Sequence, residues 1–184
     1  MNNRTLALIS LILVAMVTRF IPHAPNFTAV GAAAIMGGTL FRNSFKAFLI
    51  PVLALFISDL VLNNLVYSAY YDNFVWFTPG FALIYGGFIL SVLIGRYMTN
   101  GFKVLPLAGA GILSAIVFYL LTNAGSWQAS PIYSKDLNGL IQAYVAGLPF
   151  LLNQLAGTLV YGAILFGTAW FWIGQPKEIT TAEA

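Results

Sequence analysis

Apolar residues run in long continuous stretches along this chain, and charges, prolines and polar turns separate one stretch from the next. Six stretches can be distinguished, at roughly 6–20, 27–41, 47–62, 78–94, 104–122 and 149–173. The runs are continuous rather than alternating, which indicates helices and not a β-barrel. A spanning helix needs about 20 apolar residues, so the second and third stretches depend on packing against neighbours. We therefore predict an all-α, polytopic membrane helix bundle of about six transmembrane helices.

The composition indicates that lipid is the main solvent of this chain. Of its 184 residues, 60% are hydrophobic and only 7% are charged, whereas about 25% of the residues of an ordinary globular protein are charged. So few charges cannot cover a water-exposed surface. We expect one transmembrane domain at 1–174 and a polar, disordered cytoplasmic tail at 175–184. The net charge of +3 is too diluted to suggest a nucleic-acid partner.

Lysine and arginine are unevenly distributed between the two sides of the predicted bundle. If the N-terminus lies inside, the inner segments hold six of these residues and the outer segments hold two. The inner residues are Arg4, Arg42, Lys46, Arg96, Lys103 and Lys177, and the outer ones are Arg19 and Lys135. Cytoplasmic loops of membrane proteins carry such an excess. The pattern therefore predicts an even number of helices with both termini in the cytoplasm.

Arg19 and Asp59 each interrupt an otherwise apolar segment. A charge at membrane depth costs about 2.5–3.5 kcal/mol on insertion scales and usually faces a partner or a cavity. At a rise of about 1.5 Å per residue, the two side chains lie at similar heights in the outer half. We expect them to form an ion pair or to share a cavity. The pair could clamp the helices or take part in substrate binding. Alternatively, the Arg19 side chain could extend to the membrane interface.

Other polar and aromatic residues converge on the same outer side. His23 lies between two prolines and is either an interfacial loop histidine or a hydrogen-bonding group for a bound molecule. The outer loops predicted at 63–79 and 123–148 form either a lid or an aromatic belt. We expect one outward-facing cavity lined by at least Arg19, Asp59 and Asn123. The predicted substrate-binding residues are Arg19, His23, Asn26, Asp59, Asn63, Trp76, Asn123, Trp127, Tyr133 and Asn153.

Small residues recur every fourth position in the second apolar stretch, at Ala29, Ala33 and Gly37. Such a stripe allows another helix to approach closely. It either packs within the chain or docks a partner membrane subunit, and we predict these three residues as candidate docking positions.

The chain lacks the residues that several kinds of chemistry require. The chain has no cysteine and one histidine, so it cannot form a structural zinc site, and we expect no metal and no cofactor. It contains no Walker A, HExxH or GxSxG motif. An intramembrane enzyme would need cooperating titratable groups, and only Arg19, His23 and Asp59 are available. We therefore predict that the protein is not an enzyme.

Two blocks of residues carry a resemblance to a known family. The first spans 19–32 and continues with Gly37-Gly38 and Ser58-Asp59-Leu60. The second comprises Phe118-Tyr119, Thr122-Asn123, Trp127, Tyr133, Gly139-Leu140, Tyr144, Leu148-Pro149-Phe150 and Asn153. Over nearly its whole length the chain resembles an uncharacterised bacterial family of small multi-pass proteins that are commonly labelled transport proteins. Ala24 and Leu148 depart from that pattern, where proline and isoleucine are expected.

In size, helix number and outer polar cluster, the chain is also similar to the substrate-binding S components of energy-coupling-factor vitamin transporters. This resemblance implies uptake of a small organic solute, such as a vitamin or cofactor precursor, across the bacterial inner membrane. It also implies a separate membrane coupling subunit with ATPases. The alternative is a structural or accessory subunit of a membrane complex, with no substrate of its own.

Overall fold

The computed structural model describes residues 3–174, and all regular structure in this range is helical. Six α-helices follow one another: α1 (Asn3–Val17), α2 (Val30–Leu40), α3 (Ser44–Val61), α4 (Phe81–Met98), α5 (Val104–Ala129) and α6 (Leu137–Ile173). A 3-10 turn (Thr18–Phe20) extends α1, and a π-helical turn (Leu62–Val66) extends α3. The predicted all-α fold is confirmed. The predicted tail at 175–184 lies outside the described residues.

Five of the helical segments are long and apolar enough to cross a membrane. They are α1 with its 3-10 turn, α3 with its π-helical turn, α4, α5 and α6. The remaining helix, α2, has 11 residues and is therefore about 16 Å long, roughly half of a hydrocarbon core of about 30 Å. These lengths and compositions are those of a membrane-embedded helix bundle.

Side-chain contacts at the two ends of the bundle show that α1 and α3 run in the same direction and that α4 runs opposite to them. At one end, Arg19 after α1 contacts Asp59 near the end of α3, and Asp59 contacts Tyr85 near the start of α4. At the other end, Arg96 near the end of α4 donates a hydrogen bond to Ser44 at the start of α3. We call these ends the Arg19 end and the Arg96 end.

The short helix α2 lies at the centre of the bundle and contacts every other helix. Each of its residues in the range 32–38 is buried. Glycines allow the backbones of α2 and α4 to touch: a Cβ on Gly38 would lie 2.0 Å from the carbonyl oxygen of Val92, and one on Gly95 would lie 2.4 Å from that of Ile35. Small residues therefore serve here to bring helices together within one chain.

The partner-docking prediction for Ala29, Ala33 and Gly37 is contradicted by their burial. Both alanines have no exposed surface, and Gly37 is buried against Pro51 of α3, which a Cβ at this glycine would meet at 2.4 Å. The stripe is covered by the chain's own helices and offers no face to a second protein. The alternative, packing within the chain, describes the structure.

The long loop predicted at 123–148 is wrong, because helix occupies most of it. α5 continues to Ala129 and α6 begins at Leu137, so the connection is 130–136. The side chain of Asp136 caps α6 by accepting a hydrogen bond of 2.8 Å from the N–H of Gly139. Pro149 lies inside α6 rather than at its start. With 37 residues, α6 is about 55 Å long, which exceeds a hydrocarbon core of about 30 Å.

Candidate functional site

Arg19 and Asp59 form an ion pair at the Arg19 end, as their matched depths predict. Nη1 of Arg19 lies 2.7 Å from Oδ1 of Asp59, and the two side chains are 18% and 7% exposed. The same nitrogen donates to the hydroxyl of Ser58. The hydroxyl of Tyr85 donates to Oδ2 of Asp59 at 2.7 Å. Both carboxylate oxygens are therefore satisfied by neighbouring helices.

The 3-10 turn after α1 places Arg19 over the start of α2. The hydroxyl of Thr18 donates to the carbonyl oxygen of Ala15 at 2.7 Å and accepts a hydrogen bond of 3.3 Å from the N–H of Ala29. One side chain thus ties the end of α1 to the beginning of α2. Ser58 donates to the carbonyl oxygen of Leu55 at 2.8 Å, which fixes the hydroxyl that receives Arg19.

A cavity of about 400 Å³ lies beside this ion pair. Its volume falls within the range of about 300–1,000 Å³ that is usual for small-molecule sites. Most of its walls are apolar, and a few polar side chains point into it from different elements. The lining residues are Arg19, His23, Pro25, Asn26, Thr28, Val30, Gly31, Leu55, Leu62, Tyr67, Ile84, Phe88, Ser91, Phe118 and Gln154.

The segment between α1 and α2 forms one wall of this cavity. Asn26 has a φ of 64°, a conformation that asparagine tolerates better than most residues. It allows two tight turns, in which the N–H of Phe27 donates to Ala24 at 2.9 Å and that of Thr28 donates to Asn26 at 3.0 Å. The segment packs directly on α6, because a Cβ on Gly157 would lie 2.9 Å from the backbone nitrogen of Thr28.

Three of the ten predicted site residues line the cavity: Arg19, His23 and Asn26. Asp59 and Asn123, which we expected in the lining, do not line it. Asp59 acts through Arg19, and the side-chain amide of Asn123 donates to the carbonyl oxygen of Tyr119 at 2.9 Å within its own helix. A cavity is therefore present at the Arg19 end, but of the three residues expected to line it only Arg19 does so.

Three other predicted residues contact neighbouring segments and do not line the cavity. Asn153 donates to the carbonyl oxygen of Pro25 at 3.0 Å and so holds the segment before α2. Asn63 donates to the hydroxyl of Thr78 at 3.0 Å. Trp76 packs on Phe74 in the connection before α4, with ring centroids 4.9 Å apart.

Two more predicted residues belong to the α5–α6 turn. Trp127 donates from its indole nitrogen to the carbonyl oxygen of Ser134 at 2.8 Å. Tyr133 lies within the connection at 130–136 and does not line the cavity. These two aromatic residues are therefore separate from the cavity, and Trp127 holds the turn that links the two longest helices.

Sequence reasoning missed the aromatic and hydroxyl groups that α4 and α5 contribute. Phe88 and Phe118 form apolar walls, and the hydroxyl of Ser114 donates to Ser91 at 2.6 Å behind the cavity. Tyr85 was missed as well, although it lies near the Arg19 end of α4, at the level of Asp59. Its position in the sequence is the one signal that could have revealed it.

A second cavity, of about 480 Å³, lies between α2, α5 and α6 toward the Arg96 end. Among the described residues that line it, Thr158 and Trp170 are the only ones whose side chains carry polar atoms. Thr158 also contacts Gly31, where a Cβ would lie 2.6 Å from its hydroxyl oxygen. Since Gly31 lines the first cavity and Thr158 lines the second, this contact separates the two.

Comparison with known proteins places the chain in a family. Within residues 3–174, no group of three histidine, cysteine or acidic side chains is arranged to hold a metal ion. No curated protein and no solved structure matches the chain. The model of a family of unknown function, DUF6580, matches residues 1–179, and the chain therefore belongs to that family.

Proposed function

We propose that this protein is a membrane transport protein of the S-component type that binds a small organic solute, such as a vitamin or cofactor precursor, at the Arg19 end. The observation that carries the proposal is the cavity of about 400 Å³ beside the Arg19–Asp59 ion pair. A site with apolar walls and a few convergent polar groups is the usual form of a small-molecule site. Binding and transport, rather than catalysis, are its proposed roles.

The space beside the ion pair favours binding over a purely structural clamp. A clamp is most effective when both charges are enclosed by packed side chains, because exposure to solvent weakens the attraction. Here Asp59 is enclosed, whereas Arg19 lines a cavity. The pair therefore presents one charged group to a bound molecule and fixes it with the other.

We propose that the Arg19 end faces the outside of a bacterial inner membrane, with both termini in the cytoplasm. The six lysine and arginine residues assigned to the inner segments, against two in the outer ones, support this orientation. In this topology α2 and the segment before it together form one crossing of the membrane, in addition to the five long helices.

Energy would come from a separate membrane coupling subunit with ATPases, because the chain has no phosphate-binding loop. The second cavity supports transport rather than binding alone, since the two cavities lie on either side of the Gly31–Thr158 contact. The alternative role as an accessory subunit loses its proposed docking face, because the small-residue stripe is buried.

The proposal is tested by mass spectrometry of small molecules that copurify with the detergent-solubilised protein. We expect the wild-type chain to retain an organic solute, and Gln154→Trp to lose it because Gln154 lines the cavity. Leu152→Trp is the matched control, since Leu152 lies two residues away on α6 and is 65% exposed. If the wild-type protein retains no small molecule, or both variants retain it equally, the cavity is not a binding site.

The orientation has its own test. A reporter that is active only in the cytoplasm, fused after residue 184, should be active. An inactive fusion, together with an active periplasmic reporter at the same position, would reverse the proposed topology.

A further inference from the structure

The guanidinium of Arg19 uses only one of its three nitrogens within the described part of the chain. Nη1 contacts both Asp59 and Ser58, which accounts for its two hydrogens. Nε and Nη2 have no hydrogen-bond partner in residues 3–174. These two nitrogens form the side edge of the guanidinium, where two N–H bonds point in the same direction. That edge matches the two oxygens of a carboxylate.

The free edge is reached by solvent rather than enclosed by protein. No buried side-chain nitrogen or oxygen among the described residues lacks a hydrogen-bond partner. Nε and Nη2 lack partners, so they are not buried. Arg19 lines the cavity, and its side chain is 18% exposed. The unpaired donors are therefore exposed donors of a side chain that lines the cavity, and a molecule bound there can reach them.

The remaining charges around the cavity favour a single negative group. The acidic residues of the described range are Asp59, Asp72 and Asp136, and none of them lines the cavity. The carboxylate of Asp59 is already shared between Arg19 and the hydroxyl of Tyr85. Apart from His23, Arg19 is the only basic residue that residues 3–174 contribute to the lining.

From this arrangement we infer that the ligand is a small monocarboxylate with an apolar body, whose two carboxylate oxygens accept hydrogen bonds from Nε and Nη2 of Arg19. This inference rests on the proposed function and specifies its substrate class. The rings of Phe88 and Phe118 and the side chains of Leu55 and Ile84 surround the apolar body. Asp59 is a positioning residue, because it holds Nη1 and so directs the free edge of the guanidinium into the cavity.

Two other ligand classes fit this site less well. A phosphate ester carries nearly two negative charges at neutral pH, whereas Arg19 is the one arginine or lysine among the described lining residues. A cationic ligand would meet the arginine without an acidic residue in the lining. The chemistry of the lining thus favours one carboxylate over both.

The experiment compares matched pairs of probes by thermal stabilisation and calorimetry with the purified full chain in detergent. The probes are aliphatic and aryl monocarboxylates of increasing size, for example 3-phenylpropanoate, each with its primary amide. A charge-assisted bidentate contact should make the acid bind about 10- to 100-fold more tightly than the amide. This comparison uses the wild-type protein and does not depend on a variant that folds.

Variants then assign the preference to Arg19. Arg19→Lys keeps a positive charge but removes the two parallel N–H donors of the guanidinium edge. The double variant Arg19→Gln/Asp59→Asn removes both charges together. We expect the acid preference to fall at least about tenfold in each variant. It should be unchanged in Arg42→Gln, because Arg42 is exposed and does not line the cavity.

The outcomes separate this inference from the proposed function. If acids and amides bind equally, or if the preference persists in both Arg19 variants, the carboxylate inference is overturned while the binding function stands. If no probe binds and no small molecule copurifies, both are overturned. A copurifying solute that carries one carboxyl group, identified by its conversion to a single methyl ester, supports both.

Discussion

Asp59 is held on both of its carboxylate oxygens, by Nη1 of Arg19 at 2.7 Å from Oδ1 and by the hydroxyl of Tyr85 at 2.7 Å from Oδ2. Three parts of the fold meet at this one carboxylate: the turn after α1, the end of α3 and the start of α4. The ion pair should therefore contribute to the stability of the bundle as well as to its cavity.

We predict that Arg19→Ala and Asp59→Ala each destabilise the protein by about 3–5 kcal/mol, since each leaves the other charge unpaired. The double variant should cost less than the sum of the two single variants, because they share one interaction. The free energy of unfolding can be measured in mixed micelles with increasing denaturing detergent. Arg42→Ala, at an exposed arginine, serves as the control, and strictly additive effects would refute a direct coupling.

The hydroxyl of Tyr85 allows a finer test of the same network. Tyr85→Phe removes only the hydrogen bond to Asp59 and should cost about 1.5–3 kcal/mol, the usual contribution of a hydrogen bond to a charged group. Tyr97→Phe is the matched control on the same helix, because Tyr97 is 79% exposed. Equal unfolding free energies for the two variants would mean that the hydroxyl does not support Asp59.

Glycines at the α2–α4 contact should tolerate no side chain. Gly38→Ala would place a Cβ 2.0 Å from the carbonyl oxygen of Val92, so the two helices would have to separate. We expect this variant to lose most of its folded yield in size-exclusion chromatography. At Gly109 on α5 a Cβ meets no atom within 4 Å, so Gly109→Ala should be neutral or stabilise by up to about 1 kcal/mol. Similar yields for both variants would contradict the close packing.

The cap of α6 predicts a pH effect outside the membrane. Two hydrogen bonds to Asp136 hold the pKa of its carboxyl below the usual value. The larger effect comes from the N–H of Gly139, and the next from the hydroxyl of Ser134. A lowered pKa means that the cap contributes fully above the pKa of the unfolded chain. Its contribution is lost as the pH falls through the lower, folded pKa.

The amide resonance of Gly139 in NMR spectra should report this titration. Its midpoint should lie below the value of about 3.9 that is usual for aspartate, and Asp136→Asn should abolish the transition. A midpoint at or above that value would show that the carboxyl does not accept these hydrogen bonds in its charged form.

The helical membrane fold could be predicted from the sequence because continuous apolar runs have few other solutions. The contact between Arg19 and Asp59 could be predicted too, since opposite charges at equal depth in lipid favour each other. The ends of α5 and α6 could not. Asn138, Gln142 and Tyr144 are equally typical of an outer loop and of a helix that emerges from the membrane.

The lining of the cavity was harder to predict than its position. Depth along a helix follows from residue number, whereas the direction of a side chain around the helix depends on the neighbours that surround it. Asn123 lies at the expected height but donates within its own helix. Phe88 and Phe118 line the cavity, although in the sequence they resemble any other lipid-facing residue.

The central position of α2 has a consequence for biogenesis. With 11 residues, this helix is too short to partition into the bilayer by itself, yet it is the second helix to be synthesised. Its neighbours include α4, α5 and α6, which leave the ribosome later. The buried surface of α2 is therefore completed only after the last helix has been inserted, so the chain must keep this segment near the translocon, or at the membrane interface, until its synthesis is nearly finished.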